Sequence, residues 1–165
     1  PGGASAMWFF DEHLDLPLDK PTVDQAGSML GSGAIVVMDE TTDMVKACWR
    51  VVRFFARESC GKCTPCREGT TWLERILHRI LTGNGRREDL DLLFEVSESI
   101  SPGLAWPPRQ TTICPLGPSA VSPIASAVNR FRNEFEHYIE HGRAIAGVEY
   151  VPMHAGSSHG AHAHV

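Results

Sequence analysis

The chain has 165 residues, enough for one ordinary domain with a proper hydrophobic core, and 42% of them are hydrophobic against 21% charged, the balance of a globular protein that folds in water. A formal net charge of −5 leaves no basic surplus, which argues against nucleic acid or an anionic membrane surface as partner. No apolar run reaches the roughly 18 residues a membrane span needs, no secretory leader is visible, and five cysteines are too few, and odd in number, for a disulfide scaffold.

The opening Pro1-Gly2-Gly3 lacks an initiator Met and reads as the later part of a longer polypeptide. Leu14, Leu16 and Leu18 alternate with Asp15, Pro17 and Asp19, the period of an edge strand. Ala34 to Met38, bounded by Gly31-Ser-Gly33 and Asp39-Glu40, reads as a short buried strand. Two strands make no stable sheet alone, so residues 1–40 are expected to be the end of a small β-rich unit.

From Thr41 the hydrophobic period becomes helical. Thr41 or Thr42 is the expected cap, with Asp43 in the first turn and Met44, Cys48, Val51 and Phe55 on one face. This helix delivers the chain to Cys60. A second helix opens with Thr64 as cap and Pro65 as first residue. It carries Trp72, Leu73, Ile76, Leu77, Ile80 and Leu81 as its stripe and stops at Gly83-Asn-Gly85. A third is expected from Arg86 to Ile100, with Leu92, Val96 and Ile100 on its stripe and Leu90, Leu93 and Phe94 beside them. A fourth is expected from Ser122-Pro123 to Gly142, through Ile124, Ala127, Val128, Phe131, Phe135 and Ile139. Such a set predicts a mainly α fold, a four-helix bundle over residues 41–145. Residues 146–165, with His154, His159, His162 and His164, read as a flexible tail.

The chemistry concentrates in Glu58-Ser-Cys-Gly-Lys-Cys-Thr-Pro-Cys-Arg-Glu-Gly69. Cys60, Cys63 and Cys66 are spaced C-x2-C-x2-C, and Cys114 follows far downstream in Ile113-Cys-Pro-Leu-Gly117. Three thiolates on one loop and a distant Cys-Pro have the local form of a ferredoxin-type [4Fe–4S] site, although in ferredoxins the Cys-Pro follows within a few residues. A structural zinc remains an alternative, but zinc sites normally take ligands in pairs from two knuckles. Lys62, Arg67 and the positive end of the helix at Pro65 suit an anionic centre, and Gly61 allows the loop to turn its amides toward sulfur. Lys62 and Arg67 also fit plain surface charges. Pro115 removes a donor beside Cys114. Cys48 sits at a core position and reads as a small hydrophobe, while Trp72 and Trp106 read as core or loop anchors. No G-x-G-x-x-G or P-loop is present, so nothing here predicts hydride chemistry or a catalytic residue within the chain.

The cysteine stretch, the distal Ile113 to Gly117 and the lead-in Val37-Met-Asp-Glu-Thr-Thr42 resemble the C-terminal part of the NADH-binding flavoprotein subunits of bacterial NADH:quinone oxidoreductase, respiratory complex I. The group also includes diaphorase subunits of NAD-linked hydrogenases and formate dehydrogenases. The likeness spans residues 1–142, and the tail lies outside it. It implies that residues 1–40 end a ubiquitin-like β-grasp segment (SLBB) and that Cys60, Cys63, Cys66 and Cys114 ligate one [4Fe–4S] cluster. It also implies electron flow from NADH through FMN in an upstream domain to this cluster. From there electrons pass to a neighbouring subunit. The implied partners are peripheral-arm subunits, especially a [2Fe–2S] thioredoxin-like one and a large multi-cluster one, with no direct membrane insertion. The implied location is the cytoplasmic face of the bacterial inner membrane. A diaphorase subunit and a zinc-binding docking module are the alternative readings. Ser101 to Arg109 reads as an insertion relative to the family pattern.

Overall fold

The computed structural model describes residues 2–104 and 106–146. The histidine-bearing tail expected over 146–165 lies outside them from residue 147 onward, all four of its histidines included. Among the described residues there are six α-helices and no strand: α1 Lys20–Gln25, α2 Met44–Glu58, α3 Thr64–Leu81, α4 Glu88–Ile100, α5 Leu116–Arg130 and α6 Arg132–His141. The mainly α expectation holds.

Helices α2, α3, α4 and α5 pack as a bundle, α2 against α3 and α5, and α4 against α3 and α5. The spacing of Val45, Cys48, Trp49, Val52 and Phe55 puts one continuous face of α2 into the core. That face is turned from the expected one, since Trp49 is buried and Val51 is only half-buried. On α3, Leu73, Ile76, Leu77 and Ile80 are buried as expected, but Trp72 is 55% exposed and anchors no core. On α4, Leu90, Leu93, Val96 and Ile100 are buried and Leu92 is exposed.

Capping residues explain the boundaries. Asp43, not a threonine, is the N-cap of α2, and its carboxylate accepts from the Lys46 N–H at 2.9 Å. At the far end of α3, Gly83 takes φ +76°, and the N–H groups of Gly83 and Asn84 bond the carbonyls of Ile80 and Arg79. This closes the helix as the Gly-Asn-Gly signal predicts. Helix α4 begins two residues later than expected, at Glu88. Asp89 is buried there and accepts from Arg86 N–H at 2.9 Å and from the Arg79 guanidinium.

The expected fourth helix is two. Helix α5 starts at Leu116, well before Ser122, because Pro115 and Pro118 fall at its cap and first turn, where no amide donor is needed. It is buried nearly all round from Gly117 to Val128. A helix packed on every side reads as uniformly small and apolar and not as a one-sided stripe. Pro123 is tolerated inside it. The helical path breaks at Phe131 (φ −114°, ψ 30°), and α6 turns back to bury Phe135 and Tyr138 against the bundle.

Residues 2–40 lean on α5 without forming the expected strands. Trp8 N–H donates to Ser126 Oγ at 3.0 Å and Ser28 Oγ donates to the Met7 carbonyl at 2.6 Å, while Ala6 and Val23 are fully buried beneath. The Leu14–Leu18 stretch follows a 3-10 turn at Asp11–His13 as a turn and a bend, with Leu14 79% exposed, and Asp19 caps α1 through Thr22 N–H. Ala34 to Met38 takes no regular secondary structure and pairs with no strand, and Val37 is 87% exposed. An apolar run becomes a strand only when another strand supplies its hydrogen bonds, and none of the described residues does so.

A four-cysteine end of the bundle

The C-terminal end of α2 and the N-terminal ends of α3 and α5 meet at one end of the bundle. Ser59 closes α2, its N–H bonding the Phe55 carbonyl at 3.1 Å while its own backbone turns extended. Gly61 then adopts φ +78°, a conformation that favours glycine, and this reverses the chain toward α3. Cys63 is the N-cap residue of α3, with Thr64 and Pro65 as its first two residues, one step earlier than the expected Thr64 cap.

Cys66 lies in the first turn of α3 and is buried, its carbonyl accepting from Thr70 Oγ at 2.7 Å. Cys60 is exposed and Cys63 half-buried. The distal segment comes in over them. Ile113 N–H points at Cys63 Sγ, 3.4 Å away, which places the residue before Cys114 directly on the C-x2-C-x2-C loop. Gly117, three residues after Cys114, is packed so tightly that a Cβ there would stand 3.2 Å from Cys66 Cβ and 3.3 Å from Ile100 Cγ2. Gly69 has the same role one turn further along α3, where a Cβ would meet Ile100 Cδ1 at 2.6 Å. Two glycines therefore let α3, α4 and α5 converge beside Cys66.

The loop carrying Cys114 is held by its own side chains. Thr112 Oγ donates to the Cys114 carbonyl at 2.6 Å, and Gln110 Nε2 bonds the carbonyls of Thr112 and Ile113 at 3.0 and 3.1 Å. Thr111 Oγ donates to the Ile100 carbonyl. The Ser101–Arg109 stretch is pinned at its base by Ser101 Oγ donating to the Arg109 carbonyl at 3.0 Å. Trp106, within it, is half-buried.

Electrostatics favour negative charge here. Helices α3 and α5 both present amino ends to the cysteines, and neither N-cap side chain accepts from the first-turn amides. Lys62 is exposed at the loop tip. Arg67 acts differently from the sequence expectation. Its Nη1 donates to the Gly61 carbonyl at 2.7 Å and its Nε to Glu68 at 2.8 Å, so its charge is partly spent and its role is to hold the loop.

Ser59 was not singled out by the sequence. Its Oγ lies 3.2 Å from Cys66 Sγ and 3.4 Å from the Gly61 N–H. A hydroxyl immediately before the first cysteine, at a helix end, was the available signal. Cys48 stands apart from this group, fully buried in mid-α2 with its Sγ 3.9 Å from the Pro123 carbonyl. Burial pushes its thiol far above the usual range, so it stays protonated and packs.

No disulfide joins any of the five cysteines. Among the described residues, no three Cys, His, Asp or Glu side chains are grouped to hold a single metal ion. Four thiolates on one zinc would stand about 3.8 Å apart, given a Zn–S bond of about 2.3 Å. A cubane takes one thiolate at each of four separate irons and so asks for a wider set. The donors present suit such a centre in kind: soft thiols from one loop and one distant segment, the Ile113 amide aimed at the Cys63 sulfur, and glycine clearance beside the buried cysteine.

The fold and this end of it define a class: a helical domain that gathers a C-x2-C-x2-C loop and a distant Cys-Pro beneath two helix amino termini. Residues 46–138 match the family described as the NADH-ubiquinone oxidoreductase-F iron-sulfur binding region, and the chain belongs to that family, which carries a 4Fe–4S cluster. The chain is 47% identical over 142 residues to the F subunit of NADH-quinone oxidoreductase in Mycobacterium tuberculosis (strain ATCC 25618 / H37Rv), covering 86% of this chain and 30% of that protein. With the protein of the same name in Streptomyces coelicolor it shares 48% over 139 residues, 84% of this chain and 29% of the relative. The chain thus spans under a third of the length of these relatives. Among solved structures it is similar to an NAD+-reducing [NiFe]-hydrogenase in the H2-reduced state, with TM-score 0.68 and 30% identity over 84% of this chain and 22% of that one. No helix among the described residues is long and apolar enough to cross a membrane.

Proposed function

We propose that Cys60, Cys63, Cys66 and Cys114 ligate the [4Fe–4S] cluster and that the chain relays electrons within an NADH:quinone oxidoreductase. The observation that carries the ligand set is the Ile113 N–H on Cys63 Sγ at 3.4 Å, which brings the residue before Cys114 onto the loop that bears the other three cysteines. The cluster, when bound, accepts and returns one electron without a proton. The protein's part is mechanical and electrostatic. Gly61 and Arg67 set the loop, Gly69 and Gly117 admit close helix approach, and the amino ends of α3 and α5 favour the anionic centre.

In this reading NADH and FMN act in another part of a longer polypeptide, and residues 1–40 close a β-grasp segment. Electrons leave for neighbouring iron–sulfur subunits, a [2Fe–2S] thioredoxin-like one and a large multi-cluster one, on the cytoplasmic face of the inner membrane. The support is the resemblance together with the relatives' printed names. The likeness to a hydrogenase structure keeps a diaphorase subunit as a second reading. The partner chains that copurify discriminate the two.

The ligand set is tested by anaerobic reconstitution with iron and sulfide, followed by metal analysis and electron paramagnetic resonance after reduction. Cys114→Ser is expected to lose most of its cluster while Cys48→Ser loads as the native chain does. Stoichiometric zinc with no reduced-cluster signal would return the site to a structural docking role.

A further inference from the structure

We propose that Ser59 is a positioning residue that donates its hydroxyl hydrogen to the Cys66 thiolate and thereby raises the reduction potential of the cluster. The inference rests on the ligand reading above and adds to it a residue that this reading does not need.

Direction of donation follows from two contacts and the chemistry of a ligating sulfur. Gly61 N–H, 3.4 Å from Ser59 Oγ, can only donate, so the serine oxygen accepts there. The Ser59 hydrogen is then free for Cys66 Sγ at 3.2 Å. A ligating thiolate has no hydrogen, so the sulfur is the acceptor. The pair is also geometrically set. Ser59 is fixed as the C-cap of α2, Gly61 is fixed at φ +78° with its carbonyl held by Arg67 at 2.7 Å, and Cys66 is fixed in the first turn of α3. The contact is half-shielded, since Ser59 is partly buried and Cys66 is only 7% exposed.

Reduction adds one electron to the centre and increases the negative charge on its sulfurs, while the hydroxyl hydrogen stays on Oγ. A donor to sulfur is therefore worth more in the reduced state than in the oxidised one. Cys66 is the natural recipient because its burial leaves water the least access of the four thiols.

The test compares native chain, Ser59→Ala and Ser59→Thr after anaerobic reconstitution. Iron and sulfide content, melting temperature and midpoint potential by dye-mediated titration are read on each. Ser59→Ala is expected to load fully and to shift its potential negative, by about tenfold in the reduction equilibrium, or about 59 mV for a one-electron couple. Ser59→Thr, which keeps the hydroxyl, is expected to restore it. Double resonance in D2O should show one exchangeable coupling lost in Ser59→Ala and kept in Ser59→Thr. A fully loaded Ser59→Ala with native potential overturns the inference and leaves the ligand reading intact. If Ser59→Ala loads too little to titrate, Ser59→Thr decides: an exchangeable coupling lost at native potential, or kept with a potential shifted negative, overturns the role of the hydroxyl, and coupling and potential that are kept or lost together support it. A native chain that takes up no iron and sulfide overturns the ligand reading itself.

Discussion

Gly117 and Cys66 meet across the α3–α5 contact so closely that a Cβ on the glycine would stand 3.2 Å from the cysteine Cβ, and a neighbour would have to give by a few tenths of an ångström to admit it. The same Cβ would also stand 3.3 Å from Ile100 Cγ2 and 3.4 Å from Thr112 Cγ2. Gly117→Val is expected to cost about 1–3 kcal/mol as an overpacked site and to lower iron content by moving the Cys114 segment off Cys66. Urea denaturation and iron stoichiometry check the two effects. A variant of native stability and native iron content would mean that the helices give way without disturbing the cysteines.

Cys48 provides the contrast within the same sequence. It is fully buried with the Pro123 carbonyl 3.9 Å from its sulfur. Cys48→Ala is expected to cost about 1–3 kcal/mol through the lost contacts and the small cavity left. Cluster content per folded molecule should be unchanged. Thermal denaturation together with iron analysis separates this packing cysteine from the four at the bundle's end.

Tyr138 donates its hydroxyl to Asp43, the residue that caps α2, and so ties α6 to the start of the bundle. Asp43 is only 6% exposed, so removing the donor leaves a buried carboxylate with fewer partners. Tyr138→Phe is expected to cost about 1–3 kcal/mol. Combined with Asp43→Ala it should cost less than the sum of the single changes, since both disrupt one interaction. Additive losses in a double-variant cycle would contradict a direct coupling.

Glu134 accepts from Met44 N–H at 3.3 Å beside the same aspartate. Desolvation, with repulsion from Asp43 added, holds its carboxyl above the usual carboxylate range despite that hydrogen bond. The folded state therefore keeps a proton that the unfolded state has released once pH exceeds the unfolded value of about 4.3. Between that pH and the raised folded value this residue's contribution to stability falls as pH rises, and above the folded value the penalty is constant. Glu134→Gln, which keeps an acceptor for Met44 N–H, is expected to melt higher at pH 7 than the native chain and to lose the advantage toward pH 4. An advantage that grows on acidification would have the wrong sign.

What could be read from the chain depended on how locally each signal is encoded. Leu73, Ile76, Leu77 and Ile80 repeat with the helical period, and Gly83 supplies the left-handed turn, so α3 was legible nearly residue by residue. Helix α5 was not, because burial on every side removes the polar face that periodicity detects, and its early start rests on prolines that look like breakers until their first-turn position is known. Asp19-Lys20-Pro21 was a helix start overlooked in favour of an alternating leucine pattern. Ala34 to Met38 had the composition of a strand but finds no pairing partner among the described residues.

The candidate site divides in the same way. Spacing alone placed Cys60, Cys63 and Cys66 on one loop and marked Cys114 as the companion, because thiol chemistry at two-residue intervals has few other uses. It could not show which cysteine is buried, that Arg67 turns to the Gly61 carbonyl, or that Ser59 reaches Cys66. Those are decided by how α2, α3 and α5 converge. The sequence by itself determined the helical class and which cysteines are the candidate donors, since hydrophobic period and thiol spacing are carried largely by neighbouring residues. Only the tertiary structure decided the surroundings of each sulfur, because contacts such as Ile113 to Cys63 and Gly117 to Cys66 join residues far apart in the chain and exist only once the bundle has closed.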